Sequence, residues 1–276
     1  MKIAFCTCVQ IGKSCIEAIL SNGGRFDLLL TLHDHKSQKK SGRVYLDDIA
    51  TVNNIPLFKL NHINDTDVAS ILLEYEIDWL FIIGWSQIAS ADLIRIPRKG
   101  IIGAHPSLLP IGRGRAAVPW AIIKGLDKTG VTFFKMDEGV DTGDMLDQFE
   151  ILINSDQTAT TLYEMVNHAH VELIKQIWPK LIDDSIVGVK QDETKATYWE
   201  GRTPADGELF KTMSILEVDK LVRATTRPYP GAFIMLDEIN KLIIWGGSTQ
   251  PIQKSKSISF CDGIYYASDF EIVPIQ

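Results

Sequence analysis

Residues 101–143 read IIGAHPSLLPIGRGRAAVPWAIIKGLDKTGVTFFKMDEGVDTG. The run starts as a buried strand ending at His105 and continues through a loop made rigid by Pro106 and Pro110. A helix, a second strand and a glycine-bounded acidic loop reaching Asp141 follow. His105 and Asp141 are 36 positions apart, and each falls just past the end of a strand pattern. Neighbouring places in one parallel sheet would bring both side chains to the crevice at the strands' carboxyl ends, where open α/β sheets bind ligands.

Upstream, the same logic repeats. Lys2 to Thr7 is apolar without alternation, as in a strand covered on both faces, and residues 12–21 have helical spacing. Gly12-Lys13-Ser14 looks like the end of a phosphate-binding loop, but the glycine required five positions earlier is Thr7, so that reading is rejected. Strands are expected at Asp27–Leu32, Ile55–Leu60 and Asp78–Gly84, with helices at Val44–Asn53 and Thr66–Tyr75. A polar stretch from His33 to Arg43 reads as a solvated loop over the sheet's carboxyl edge. Gly84-Trp85-Ser86-Gln87-Ile88 closes a strand with a glycine and polar residues, placing backbone groups at the crevice. The fold class expected is α/β, a doubly wound, mostly parallel Rossmann-like sheet.

Downstream, Thr158 to Leu181 reads as one long helix with Leu162, Met165, Val166, Ala169, Leu173 and Ile177 inward. Gln191 to Gly207 is polar and suits a linker. A short helix, Glu217 to Ala224, precedes four strand-like runs: Ala232–Leu236, Lys241–Trp245, Ser257–Phe260 and Ile264–Ala267. The expected organisation is a catalytic domain over 1–184, a linker over 185–208 and a small β-rich domain over 209–276.

Composition narrows the function classes. The 276 residues carry a net charge of −7, with 45% hydrophobic and 23% charged residues. That is ordinary globular usage, without the clustered basic surface a general nucleic-acid binder needs. Cys6, Cys8, Cys15 and Cys261 have no zinc spacing and read as thiols in a reducing cytoplasm. No metal site is expected, His33 and His35 included. No signal segment or membrane-spanning run is seen, so the expected location is the cytoplasm.

A carboxylate beside an imidazole orients the ring and stabilises its protonated form. No serine or cysteine stands in a nucleophile-elbow pattern. The chemistry indicated is direct transfer, with an incoming nucleophile deprotonated at His105 and Asp141.

His105-Pro106-Ser107-Leu108-Leu109-Pro110, then Arg113-Gly114, then Asp141-Thr142-Gly143 resembles the signature of the formyltransferases that use 10-formyltetrahydrofolate. Arg223 and Pro228-Tyr229-Pro230-Gly231-Ala232-Phe233 extend the likeness to most of the chain. The resemblance implies that an acceptor amine attacks the formyl carbon of the folate co-substrate. Asp141 would then orient the system and assist loss of the amine proton, while His105 donates to the developing oxyanion and carries a proton to the leaving nitrogen. It also implies that the pterin lies against Gly84, Trp85, Ser86, Gln87 and Ile88 and against the loop of Val140 and Asp141. One residue departs: the family usually has asparagine two positions before the histidine, and this chain has Gly103. Such a donor supplies about 3 kcal/mol to a developing oxyanion. Gln87, Ser107 and a backbone N–H are the candidate substitutes.

Gly201-Arg202-Thr203-Pro204-Ala205-Asp206-Gly207 resembles the linker of nucleotide-sugar N-formyltransferases, and the Gly-x-His and Arg-Gly-Arg runs are similar to those of pseudaminic-type pathways. A nucleotide-linked amino sugar is the acceptor this implies, with Ser107, Arg113, Gly114 and Arg115 on the acceptor side. From Ser185 onward 10 Lys+Arg stand against 12 Asp+Glu, a net of −2 that disfavours methionyl-tRNA, the alternative acceptor. A folate-binding protein that has lost catalysis, motivated by Gly103, is the second alternative. No membrane partner is expected. The oligomeric state is open, with a homodimer through paired C-terminal strands as one outcome.

Overall fold

Unbroken apolar runs become strands buried on both faces. A computed structural model of the chain describes residues 1–37 and 42–275. In chain order the elements are β1 (Ile3–Cys6), α1 (Gln10–Ser21), β2 (Leu28–Leu32), α2 (Asp34–Ser37), α3 (Asp47–Val52), β3 (Leu57–Leu60) and α4 (Thr66–Glu74). Next come β4 (Trp79–Ile82), α5 (Ala91–Ile94), β5 (Gly100–His105), β6 (Arg113–Gly114), α6 (Ala117–Ile123), β7 (Lys128–Lys135), β8 (Met145–Leu152) and α7 (Ala159–Ile182). The chain ends with β9 (Tyr198–Trp199), α8 (Ile215–Thr225), β10 (Ala232–Met235), β11 (Asn240–Ser248), β12 (Lys256–Ser259) and β13 (Ile264–Pro274). Of the polar stretch after His33, Asp34–Ser37 is a helical turn, and 38–41 lies outside the described residues.

The central sheet has the strand order β3-β2-β1-β4-β5-β7-β8. Parallel pairing joins β1 to β2 and β4, β2 to β3, and β4 to β5. β5 and β7 are neighbours but antiparallel, with His105 opposite Thr132 and Ile102 opposite Lys135. The parallel adjacency expected for the strands carrying His105 and Asp141 is therefore corrected. A helix between two strands normally makes a crossover over the sheet face. Here α6 packs against α8 and seats Ile123 on the cluster built from Leu209, Val218 and Leu242, so β7 is free to return antiparallel.

Packing divides the chain into two compact units that interleave along the sequence. The first comprises Met1–Arg113, Gly130–Ile151 and Val166–Tyr198; the second comprises Gly114–Thr129, Leu152–Met165 and Trp199–Gln276. In the first unit Phe5 stacks on Phe81 at 5.4 Å and meets Phe26 edge-on at 5.5 Å, while Trp178 of α7 closes on Phe26 at 5.1 Å. Such aromatic pairs add about 0.5–1.5 kcal/mol each beyond the area they bury. The inward face expected for α7 is buried at Leu162, Val166, Ala169, Leu173 and Ile177, but Met165 is 38% exposed and belongs to the helix edge.

The second unit holds the antiparallel sheet β10-β11-β13-β12, covered by α8 through Val218, Leu221 and Val222. α8 begins at Ile215, two residues before the expected start, because Ser214 caps it. Ser214 Oγ accepts from Glu217 N at 3.3 Å, and the Glu217 carboxylate accepts from Ser214 N at 2.8 Å. This reciprocal arrangement satisfies two otherwise orphaned N–H groups. Ser214→Ala should lower stability by about 1 kcal/mol in urea unfolding, with no change in slope.

Candidate active site

His105 ends β5 inside the sheet, 6% exposed, so its ring nitrogens must find partners within the protein. Nδ1 lies 3.4 Å from Asp141 Oδ2, and Nε2 lies 2.7 Å from the Gly112 carbonyl oxygen. Both nitrogens thus face acceptors.

Because β7 runs away from the His105 end of β5, Asp141 reaches the histidine only through a returning loop. Lys135 N donates to Asp144 O at 2.8 Å, and a Cβ on Gly143 would lie 1.8 Å from Lys135 O, so glycine alone fits that turn. Asp141 itself sits at φ 56°, in the left-handed region that is costly for a residue with a Cβ. Gln191, 8% exposed, fixes the loop: its Nε2 donates to Asp141 O and Gly143 O, each at 2.8 Å. In the sequence Gln191 reads as the start of a polar linker. A buried amide with a full hydrogen-bond complement leaves no mark in hydropathy.

The residues expected on the folate side lie at the same sheet edge. β4 precedes Gly84-Trp85-Ser86-Gln87-Ile88 and pairs directly with β5, Ile82 opposite Gly103. Gly84 has φ 66°, and a Cβ there would lie 2.3 Å from Val9 Cγ2. Arg95 Nη2 binds Glu138 Oε1 at 2.6 Å, joining the segment after that loop to the one that leads to Asp141. Ile88 is 77% exposed and Val140 50% exposed, two apolar side chains suited to cover the flat face of a heteroaromatic ring.

Two substitutes considered for the missing asparagine are already committed. Gln87 Oε1 accepts from Ile63 N at 2.8 Å and Trp85 Nε1 at 3.3 Å, and its Nε2 donates to Asn61 O. Ser107 Oγ donates to Ile111 O at 2.6 Å. A Cβ on Gly103 would lie 3.1 Å from both Met136 Cγ and Phe134 Cζ, so those side chains crowd the space an asparagine would enter.

Arg113 is also placed differently from the expectation. It is fully buried, and all five of its N–H groups are used. Nε and Nη2 donate to Gln191 Oε1 at 3.1 and 2.8 Å, Nη1 and Nη2 to the Glu193 carboxylate at 2.9 and 2.6 Å, and Nη1 to Tyr198 Oη at 2.8 Å. The Glu193 carboxylate raises the Arg113 pKa further above its ordinary value, and the guanidinium in turn lowers that of Glu193. No N–H remains for an acceptor phosphate. In the second unit Gly114 has φ 104°, and a Cβ there would lie 2.4 Å from Trp199 O. Arg115 follows with an exposed side chain and its N bonded to Trp199 O at 3.1 Å.

His33 and His35 stack at 5.5 Å, and among the described residues no group of three or more His, Cys, Asp or Glu side chains is arranged to hold a metal. No described helix is long and apolar enough to cross a membrane. Cys6, Cys8 and Cys15 are buried, and Cys261 is exposed.

The chain is similar to several known proteins. The methionyl-tRNA formyltransferase of Alkaliphilus oremlandii is 29% identical over 235 residues, covering 84% of this chain and 76% of that protein. An N-formyltransferase from Helicobacter canadensis, solved with folinic acid and dTDP-3-aminofucose, has the same fold. Its TM-score is 0.75 at 20% identity, over 98% of this chain and 100% of its own. A sugar N-formyltransferase from a Shewanella species matches with a TM-score of 0.71 at 22% identity, over 92% of this chain and 99% of its own. The formyl transferase family model matches residues 1–177, the segment that carries the parallel strands, His105 and Asp141, and the chain belongs to that family of one-carbon transferases.

Proposed function

We propose that this chain moves the formyl group of 10-formyltetrahydrofolate to the amine of a nucleotide-linked amino sugar, in the cytoplasm. The observation that carries the transfer is the buried His105 Nδ1–Asp141 Oδ2 contact at 3.4 Å, set at the sheet edge where β4 and β5 end. The acceptor amine attacks the formyl carbon and gives a tetrahedral adduct. Asp141 and His105 take the amine proton and return one to the folate nitrogen as the carbon–nitrogen bond to the donor breaks. Positioned acid–base groups of this kind contribute roughly 10²–10⁴ in rate. The pterin is assigned to the Gly84–Ile88 loop and to Val140.

Support for a sugar acceptor comes from the Gly201–Gly207 run, from the net of −2 after Ser185 and from the amino-sugar nucleotide named with the Helicobacter canadensis protein. Within the Arg-Gly-Arg run, Arg115 takes the phosphate-binding role, since Arg113 is spent internally. Arg115→Ala should raise the acceptor KM about tenfold with kcat nearly unchanged, the signature of lost uniform binding. An unchanged acceptor KM would remove Arg115 from the site. The methionyl-tRNA reading is the second one, favoured by the Alkaliphilus oremlandii relative. The deciding experiment offers 10-formyltetrahydrofolate with a panel of amino-sugar nucleotides and methionyl-tRNA, and detects by mass spectrometry the gain of one CO unit. Formylation of tRNA alone would replace the sugar reading, and folate binding without turnover on any acceptor would leave a non-catalytic protein.

A further inference from the structure

We propose that Gln191 is a positioning residue for the transfer, coupling the Asp141 loop to the buried Arg113 so that both acceptors facing the His105 ring are held by one segment, 191–198. The inference rests on the reading of His105 and Asp141 as the reacting pair. At Nδ1 the ring faces the Asp141 carboxylate, and at Nε2 the Gly112 carbonyl. Gln191 addresses the first side, binding the carbonyls of Asp141 and Gly143 through Nε2. Its Oε1 takes two N–H groups of Arg113, the residue that follows Gly112. Thr197 secures the second side. Its Oγ1 accepts from Gly112 N at 2.8 Å, its carbonyl accepts from Arg113 N at 2.9 Å, and its N donates to Pro110 O at 3.1 Å.

The chemistry of the amide is what this position needs. Gln191 has two N–H groups and two lone pairs, and all four are used, donors toward the Asp141 loop and acceptors toward Arg113. Asp141 occupies a left-handed backbone conformation, which persists only where surrounding bonds over-determine it. The two carbonyl contacts supply that constraint at the residue whose carboxylate must meet His105. Glutamate at 191 keeps the volume and the pairing with Arg113, yet it turns an oxygen toward two carbonyl oxygens and removes both donors.

Gln191→Glu is therefore the variant to make in the full chain, with an unfolding midpoint near wild type as the check on folding. We expect kcat to fall roughly 10²-fold, the scale of a displacement near one ångström at a reacting group, with both KM values within about threefold. In an Asp141→Asn background, single-turnover rates should change by less than about threefold on adding Gln191→Glu, because the group it positions is already gone. Equal losses in both backgrounds would make Gln191 merely structural and overturn the proposal, as would an unchanged kcat. The ¹⁵N signals of the His105 ring give a readout that needs no acceptor. They should move in Gln191→Glu, and coincident signals in the two proteins would overturn the proposal even if wild-type protein formylated nothing, a result that would separately defeat the functional reading.

Discussion

His105→Ala and Asp141→Asn should each lower kcat/KM for formyl transfer by roughly 10²–10⁴-fold, with the unfolding midpoint of Asp141→Asn close to wild type. The expectation follows from where the two groups sit. The His105 ring is nearly sealed from solvent, and its nitrogens touch a carboxylate on one side and a main-chain carbonyl on the other, so no bulk water can take over proton transfer at that point. Asparagine at 141 preserves shape and main-chain bonds to Gln191, but it presents an amide where the ring requires a negative acceptor. Residues that act as a unit are strongly non-additive, so the double variant should be little worse than His105→Ala alone. Near-normal turnover in both single variants would remove the pair from the chemistry. The missing asparagine at Gly103 makes this the decisive test, because Gln87 and Ser107 are committed elsewhere. On the proposed reading, a main-chain N–H is the one candidate substitute left for that asparagine.

Much of this arrangement was legible in residue patterns, and the failures have physical causes. β1, β2, β4 and β5 are continuous apolar runs because they are covered on both faces, which is a signal that periodicity can read. β8 escaped detection because it carries Asp147, Gln148 and Glu150 at the edge of the sheet and buries only Ile151. The direction of β7 was misread because nothing in a strand's own residues encodes parallel or antiparallel pairing. The β5-α6-β7 order looks like a crossover until Ile123 is seen packed in the second unit's own core. The pairing of His105 with Asp141 was expected for the wrong geometric reason. What brings them together is a loop that turns at Gly143 and is tied down by Gln191, two residues whose importance lies in a close backbone approach and a saturated amide. Arg113 and Arg115 are equivalent as letters; burial against Gln191 and Glu193 separates a structural guanidinium from an exposed one.

Acidification should destabilise the fold through His170 well before the carboxylates titrate. The residue lies on the inner face of α7, 3% exposed, with Nδ1 bonded to Val166 O at 2.7 Å and its ring edge-on to Phe133 at 5.7 Å. Burial penalises the charged ring and pushes its pKa down to about 4, the Val166 carbonyl opposing the shift and the charge of His105 adding to it. In the unfolded chain the group returns to the ordinary 6.5. Between those values the unfolded state binds a proton that the folded state refuses, so stability rises with pH. The contribution is intact above about pH 6.5 and is lost as pH falls toward 4. At pH 5, where most carboxylates are still ionised, the loss relative to pH 7 is about 2 kcal/mol. His170→Leu removes the titrating group while keeping the site apolar. Its urea-derived stability should start lower at pH 7, because the Val166 carbonyl loses a partner, and should then fall by about 2 kcal/mol less than wild type on going to pH 5. Parallel curves for the two proteins across that interval would show that His170 is not the group through which acid acts.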